Sequence, residues 1–178
     1  MSKTDFITQS TLTEESIFTA LMLTMQKKNF EEISITEITG KAGVSRMAFY
    51  RHYSSKEDII IKHLNELFES YIQEVLACEI MDVYQFAYRY FIYFRRHQDL
   101  IMNLIKSNLA SLLLERFEMY LHSIFSNILY NDSSLEINPY EIHYIAGGLY
   151  NVLIEWVKGG LSESNQKMAE SISKLAGK

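Results

Sequence analysis

Four short segments of this chain carry the signature of a helix start, and each opens a stretch whose apolar residues recur at helical spacing. A hydroxyl side chain followed three residues later by a carboxylate forms a capping box, and this spacing occurs at Thr11–Glu14, Ser34–Glu37 and Ser54–Glu57. Asn138-Pro139 places a proline at the first helical position, where its missing N–H costs nothing. Because the 178 residues include only 7 glycines and one proline, turns are few, and we predict an all-α fold.

The apolar spacing divides the chain into about nine helices. A small head, residues 1–54, precedes a larger body, residues 55–178. The predicted helices span approximately residues 12–29, 35–42, 46–53, 55–78, 81–97, 99–105, 107–131, 139–158 and 163–176.

The composition excludes several classes of protein. The single cysteine, Cys78, cannot form an internal disulfide, and Met1–Ser10 lacks the apolar core of a signal peptide, so we expect a cytoplasmic protein with no membrane span. No glycine-rich phosphate loop, nucleophile motif or carboxylate pair is present. His97, His122 and His143 lack the spacing of metal ligands. We therefore predict no catalytic residue, metal or cofactor.

Charge is distributed unevenly along the chain, whose net charge is −5. Residues 40–63 contain five cations and two anions, whereas the segment from residue 64 onward contains 14 acidic and nine basic residues. A locally basic element on an acidic body is typical of a protein that contacts phosphate at one place only.

The basic element contains the pattern of a helix-turn-helix. Ala42 is small enough for two helices to cross closely, and Gly43 tolerates the left-handed backbone of a tight turn. Val44 fills the space beneath the turn, and Ser45 is suited to cap the following helix. A helix, a short glycine-containing turn and a second helix form the unit that reads DNA in many regulators.

The second helix of this unit has one apolar anchor and an outer face suited to DNA bases. Phe49 is expected to point inward and fix the helix to the head. Arg46 suits a bidentate hydrogen bond to guanine, and Met47 and Ala48 suit contact with thymine methyl groups.

Phosphate contacts are expected farther along the same segment. Tyr50, Arg51 and His52 follow the base-reading positions, and Lys56 lies at the start of the fourth helix, where its charge adds to the positive helix end. These residues complete the predicted binding site for double-stranded DNA.

Residues 36–60, TEITGKAGVSRMAFYRHYSSKEDII, resemble the DNA-binding signature of the tetracycline-repressor (TetR) family. The resemblance covers about residues 11–60 and rests on an initial Thr, Ala-Gly-Val-Ser, a Tyr-x-His-aromatic stretch and Ser-Lys-Glu. It implies an all-helical homodimer whose two heads read a palindromic operator. It also implies that Tyr50, His52 and Lys56 contact phosphates. The residues implied to lie near bases or flanking phosphates are Thr36, Ser45, Arg46, Met47 and Ala48.

The sequence departs from the family pattern at one place. Met47-Ala48 stands where many members carry Gly followed by Thr or Ala. Because Met is bulky, the operator sequence of a relative cannot be transferred to this chain.

Aromatic residues recur at helical spacing in the body, where the resemblance to any family fades. Core packing is one interpretation of this pattern. The other is a pocket between helices for a small-molecule effector. The candidate lining residues of that pocket are Tyr90, His97, Phe117 and His122.

The helix predicted over residues 139–158 resembles the penultimate helix of many TetR relatives, which contributes to their dimer interface. Leu149, Val152 and Trp156 are the candidate interface residues, although Trp156 also suits the core of a single subunit. Gly147-Gly148 lies in mid-helix, where each glycine costs about 1 kcal/mol relative to Ala, and a close helix approach would offset that cost.

These patterns favour a repressor that a small molecule releases from its operator. Two alternatives remain open at the level of sequence. One is a helical partner-binding protein with the same fold that does not read DNA, and the other is a helical enzyme or carrier that uses the aromatic body.

Overall fold

The computed structural model of the protein describes residues 3–77, 82–129 and 138–176, with side chains described for residues 9–77, 82–123 and 138–175. Within these ranges the chain forms nine α-helices, one short 3₁₀ turn at Phe30–Glu32 and no strand, so the predicted all-α fold is confirmed. The helices are α1 Lys3–Met25, α2 Ile35–Ala42, α3 Arg46–His52, α4 Lys56–Leu76, α5 Val83–Arg96, α6 Gln98–Lys106, α7 Ser111–Leu129, α8 Pro139–Lys158 and α9 Asn165–Ala176.

Helix boundaries were predicted best where capping residues are present. The bounds of α2 and α8 agree with the prediction. The side chain of Ser34 accepts a hydrogen bond from the Glu37 N–H at the start of α2. Asn138 accepts one from the Tyr140 N–H at the start of α8. The prediction for Cys78 lies outside the described residues.

Other boundaries differ from the prediction. Thr11–Glu14 is not a helix start, because α1 already begins at Lys3. The cap of α4 is Ser55 and not the predicted Ser54. The Ser55 hydroxyl accepts a hydrogen bond from the Asp58 N–H, whereas the backbone N–H and the hydroxyl of Ser54 both donate to the Asp58 carboxylate. The helix predicted from residue 107 begins at Ser111, since the chain takes a left-handed conformation at Asn108 (φ 58°).

The chain divides into two compact units, Met1–Leu64 and Asn65–Lys178, and the division falls within α4. The predicted functional division after residue 54 stays a prediction. In the first unit α1 packs against α2 and α3, whereas in the second α5 packs against α9, and α8 packs against α6 and α7. None of the helices in the described ranges is both long enough and apolar enough to span a membrane.

Each unit has its own core of fully buried side chains. Ile17, Leu21, Ile38, Phe49 and Ile59 form the centre of the first core. The second core is mainly aromatic and is built around Phe68, Tyr90, Phe91 and Phe94. Edge-to-face and tilted ring packing links these side chains, as between Phe68 and Phe117 at 4.9 Å.

Candidate nucleic-acid interface

A tight turn joins α2 to α3 in the first unit. Gly43 ends α2 in the left-handed conformation (φ 68°), which a residue with a Cβ adopts only with strain. The Val44 N–H then donates to the Thr39 carbonyl at 3.0 Å. The hydroxyl of Ser45 caps α3 by accepting from the Ala48 N–H at 3.0 Å. These bonds fix the direction in which α3 leaves the turn.

The two sides of α3 differ sharply in exposure. Phe49 is completely buried, as predicted, and packs against the buried Tyr53 ring at 5.7 Å. Met47 is 70% exposed and Tyr50 is 50% exposed. Because successive residues are 100° apart on a helix, a single exposed face carries Arg46, Met47, Tyr50 and Arg51.

Four other predicted DNA contacts lie on α2, at the cap of α3 and on α3 itself. Thr36 is exposed in the first turn of α2, and Ser45 is exposed at the cap of α3. Ala48 and His52 are half-buried. Their contacts with DNA stay predictions.

Most cations of the first unit are already engaged by other groups of the chain. Lys28 pairs with Glu37 at 2.7 Å, and Lys62 pairs with Glu14 at 2.7 Å. In the part of the chain that the structure describes, Arg46 and Arg51 form no ion pair. Their guanidinium groups are therefore available to an external anion.

The carboxylate of Glu14 connects helices α1, α3 and α4. The Oε1 atom of Glu14, on α1, accepts hydrogen bonds from His52 Nδ1 at the end of α3 and from Lys62 Nζ on α4, each at 2.7 Å. Burial alone would raise the pKa of Glu14, but the hydrogen bonds and charges of Lys62 and His52 outweigh it and hold that pKa below its ordinary value. Glu14 thus stays ionised and anchors the C-terminal end of α3.

The structure gives Lys56 a different role from the predicted phosphate contact. Its ammonium group donates to the carbonyl oxygens of Phe30, Glu31 and Ile33 at 2.7, 3.0 and 3.1 Å. It also lies 4.6 Å from the centre of the Phe30 ring. Because an ammonium group has three hydrogens to donate, none remains for a phosphate. Lys56 therefore holds the 3₁₀ turn and the start of α4 together.

Sequence patterns reveal neither the role of Glu14 nor the three carbonyl groups around Lys56. The Thr11–Glu14 spacing predicts a capping role for Glu14, whereas its partners lie 38 and 48 residues farther along the chain. No local pattern signals contacts of that separation.

The four candidate pocket residues separate into two groups in the second unit. Tyr90 and Phe117 are buried and line one small cavity. His97 is half-buried beside the Tyr93 ring, and His122 is exposed on α7. Neither histidine is among the residues that line this cavity. In the described ranges, no group of three His, Cys, Asp or Glu side chains is arranged to hold a metal ion.

Two of the three candidate interface residues are buried within the subunit. Leu149 is 6% exposed and Trp156 is 4% exposed. The Trp156 ring packs against Phe91 and beneath the Arg95 guanidinium, and its indole N–H donates to the Glu163 carbonyl at 3.2 Å. These contacts make Trp156 a core residue and not an interface anchor. Val152 is half-buried.

The exposed face of α8 consists of other residues. Tyr140 and Tyr144 are 81% and 83% exposed, and Gly148, Asn151 and Glu155 continue the same stripe at spacings of three and four. A Cβ atom added to Gly148 meets no described atom within 4 Å outside the adjoining backbone of α8. The close helix approach expected at Gly148 therefore does not occur within the described part of the subunit.

Comparisons with known proteins assign a family to both parts of the chain. Residues 17–62 match the family model described as bacterial regulatory proteins of the tetR family. Residues 81–178 match the model of a transcriptional regulator C-terminal region. No functionally curated protein is similar enough to count as a relative.

Solved structures share the fold at low sequence identity. Lin0861 from Listeria innocua has a TM-score of 0.80 at 18% identity, over 99% of this chain and 94% of its own. The fatty acid degradation regulator FadR from Bacillus halodurans has a TM-score of 0.61 at 15% identity, over 92% and 93%. A TetR-family regulator structure from Syntrophomonas wolfei has a TM-score of 0.55 at 17% identity, over 92% of each chain.

Proposed function

Because this chain belongs to the TetR family of DNA-binding transcription regulators, we propose that it is a homodimeric repressor that a small molecule releases from a palindromic operator. The observation that carries the DNA-binding part of this proposal is the exposed face of α3. That face presents two arginines without ion pairs in the described chain, together with an exposed methionine and tyrosine.

Each side chain on this face suits a particular part of a DNA duplex. Arg46, at the N-terminal end of α3, donates two hydrogen bonds to a guanine edge, and Met47 with Ala48 contacts thymine methyl groups. Tyr50 and Arg51, farther along the helix, bind phosphates and set the register of the head on the duplex.

Residues flanking this face complete the proposed site. His52, held by Glu14 at 2.7 Å, is the third phosphate contact of each head. Thr36 and Ser45 lie near the bases or the flanking phosphates. We leave Lys56 out of the site because its ammonium hydrogens are already donated to three carbonyl groups.

The exposed stripe of α8 supports a homodimer. Two nearly fully exposed tyrosines followed by an open glycine form a surface that a second copy of the helix would bury, since aromatic residues are enriched in interfaces and glycine permits close approach. We therefore assign the dimer contact to Tyr140, Tyr144, Gly148 and Asn151 in place of Leu149 and Trp156. Val152, half-buried beside this stripe, stays a candidate.

Release of the operator requires that effector binding change the geometry of the dimer. Helix α4 begins in the first compact unit and ends in the second, so an effector that favours one tilt of α4 changes the separation of the two heads. Productive binding requires half-sites about one DNA turn apart, approximately 34–36 Å. The effector thereby shifts the population toward a form that cannot dock.

Selection of duplexes from a random-sequence library tests this function. We expect the dimer to enrich a two-fold symmetric site whose half-sites are separated by about 10–10.5 base pairs or a multiple of that distance. The control is the double variant Arg46→Ala/Arg51→Ala. It changes only exposed side chains, whereas a substitution of the buried Phe49 would disturb the core. Enrichment of no duplex by the wild-type protein would contradict the proposal.

A further inference from the structure

The hydrogen bond between Glu14 and His52 determines which nitrogen of the histidine ring carries a hydrogen. Burial would raise the pKa of Glu14, but the hydrogen bonds and charges of Lys62 and His52 hold that pKa below its ordinary value, so the carboxylate is ionised at neutral pH. An ionised carboxylate only accepts hydrogen bonds. The hydrogen in the 2.7 Å contact between Glu14 Oε1 and His52 Nδ1 therefore belongs to Nδ1, and Nε2 of the neutral ring has a lone pair and no hydrogen.

Glu14 from α1 and Lys62 from α4 place one negative and one positive charge beside His52, since Lys62 donates to the same Oε1 atom at 2.7 Å. On α3 itself, Arg51 precedes His52 and is exposed. The Glu14, His52 and Lys62 side chains together carry no net charge when the ring is neutral and a single positive charge when it is protonated. Helix α2 also packs against α3, and its two ionisable side chains bind other partners, Glu37 with Lys28 and Lys41 with Thr24.

A DNA phosphate requires a hydrogen on the other nitrogen of the His52 ring. Phosphate oxygens that contact protein side chains accept hydrogen bonds. Nδ1 and Nε2 lie on different edges of the ring, so with Nδ1 directed at Glu14 the Nε2 atom is directed away from it. Because Glu14 holds the Nδ1 hydrogen, Nε2 gains a hydrogen only in the imidazolium ion, in which both nitrogens are donors. A neutral ring would instead turn a lone pair toward the phosphate.

We propose that Glu14 is a positioning residue for the operator complex: it keeps the neutral His52 ring from donating to phosphate and makes this contact depend on protonation of the ring. Operator binding and proton binding then strengthen each other, because such coupling is reciprocal. Histidine gains and loses its proton near neutral pH. Only the phosphate contact rests on the proposed function, since the position of the ring hydrogen can be measured without DNA.

The affinity for the selected operator, measured at constant salt concentration from about pH 6 to about pH 8.5, tests this coupling. Protonation gives each head one hydrogen bond from a charged donor to a phosphate, so the affinity should be about 10- to 100-fold higher at the lower pH and should fall as the pH rises. His52→Gln should lose this dependence, whereas His122→Gln, which removes an exposed histidine from the second unit, should keep it. An affinity that stays constant over this range, or that rises with pH, would overturn the proposal.

The variant Glu14→Gln separates positioning of the ring hydrogen from simple support of the fold. An amide has both an acceptor and a donor, so its oxygen can accept from Lys62 while its NH₂ group donates to His52 Nδ1. The neutral ring then carries its hydrogen on Nε2 and can donate to phosphate without protonation. The ratio of the affinities at the two pH values should therefore fall to about one.

The matched control is Glu15→Gln, which removes the same charge from the next residue of α1, where the side chain is exposed. It should keep the pH dependence of the wild type. If Glu14→Gln binds more weakly at every pH but keeps the full dependence, Glu14 only supports the fold and its proposed role is wrong.

Nitrogen NMR of the His52 ring gives a readout that needs neither DNA nor a variant. The resonance of a ring nitrogen differs strongly according to whether that nitrogen carries a hydrogen. Above the pH at which the ring becomes neutral, we expect the hydrogen on Nδ1 in the wild type and on Nε2 in Glu14→Gln. A wild-type ring with its hydrogen on Nε2 would overturn the proposal.

The salt dependence of operator binding should also change with pH. At about pH 8.5, above the range in which histidine titrates, the arginines of α3 are the cationic contacts. At about pH 6 each head adds one imidazolium contact, so the slope of log affinity against log salt concentration should steepen by up to about two. Equal slopes at the two pH values would mean that protonated His52 does not contact phosphate.

These outcomes distinguish failure of the coupling from failure of the proposed function. If the protein selects an operator but binds it equally well at every pH, the regulator stands and the role given to Glu14 is wrong. If no duplex is enriched, the proposed function fails, and the NMR result alone decides whether Glu14 fixes the ring hydrogen.

Discussion

Raising the salt concentration from 50 to 200 mM is expected to weaken operator binding about 10²-fold. Arg46 and Arg51 in each of two heads place four guanidinium groups against the duplex in the proposed complex. Four such cationic contacts give a slope of approximately −4 in a plot of log affinity against log salt concentration, because each contact releases condensed counterions. Fluorescence polarisation with a labelled operator duplex measures this slope.

A charge-removing variant makes the salt experiment specific to α3. Arg51→Gln deletes one cationic contact in each head, so two remain, and the loss of affinity over the same range should fall to about tenfold. Lys106→Gln removes the same charge from an exposed position in the second unit and should leave the slope unchanged. If the two variants have the same slope as the wild type, Arg51 does not contact phosphate.

Gly148→Arg is expected to convert the dimer into a folded monomer with severely reduced operator affinity. A Cβ atom at this exposed position meets no described atom within 4 Å outside the adjoining backbone of α8, and Arg is favoured over Gly within a helix by about 1 kcal/mol, so the subunit should fold. Across the proposed interface, however, the bulky cation would prevent close approach of the second α8. Loss of linkage between two heads reduces affinity by about 10²- to 10⁴-fold.

Analytical ultracentrifugation and operator titration test this prediction together, and thermal unfolding checks that the subunit remains folded. Glu115→Arg, at an exposed position on α7, is the matched control and should remain a dimer with wild-type affinity. A Gly148→Arg protein that sediments as a dimer and binds the operator normally would place the interface elsewhere.

The sequence predicted local features of the head accurately because their causes are local. Ser34, Gly43 and Ser45 act on backbone groups within a few residues of themselves, and the structure contains the hydrogen bonds and the left-handed turn that their chemistry predicts. The inward position of Phe49 was also predicted, because its aromatic ring has no polar group and gains most from burial among the side chains of this seven-residue helix.

Features that depend on distant partners could not be predicted in this way. Lys56 has the sequence position of a phosphate contact, but its acceptors lie 23 to 26 residues earlier in the chain. Apolar residues occur on more than one side of α8, so periodicity alone does not say which side the subunit buries. The packing of Trp156 against Phe91 and Arg95 decides that question.

The lining of the cavity in the second unit also depends on residues that are distant in sequence, so it could not be predicted from local patterns. Tyr71, Tyr90, Tyr93 and Tyr120 are all tyrosines on helices, and no sequence pattern distinguishes Tyr71, whose buried hydroxyl has no hydrogen-bond partner in the described chain, from the three that donate to carbonyl groups. His97 and His122 have polar tips that would suit a binding pocket, but His97 lies at a helix junction and His122 on an exposed helix face, and neither lines the cavity.

In the proposed complex the exposed face of α3 lies against base edges in the major groove. The most direct test of this claim compares wild type and Arg46→Ala on the selected operator and on duplexes with each base pair substituted in turn. We predict that Arg46→Ala abolishes the preference at one G·C pair in each half-site, worth about 1–3 kcal/mol, and leaves the preferences at other positions intact. An unchanged preference at every position, or an equal loss of affinity for all duplexes, would contradict the claim.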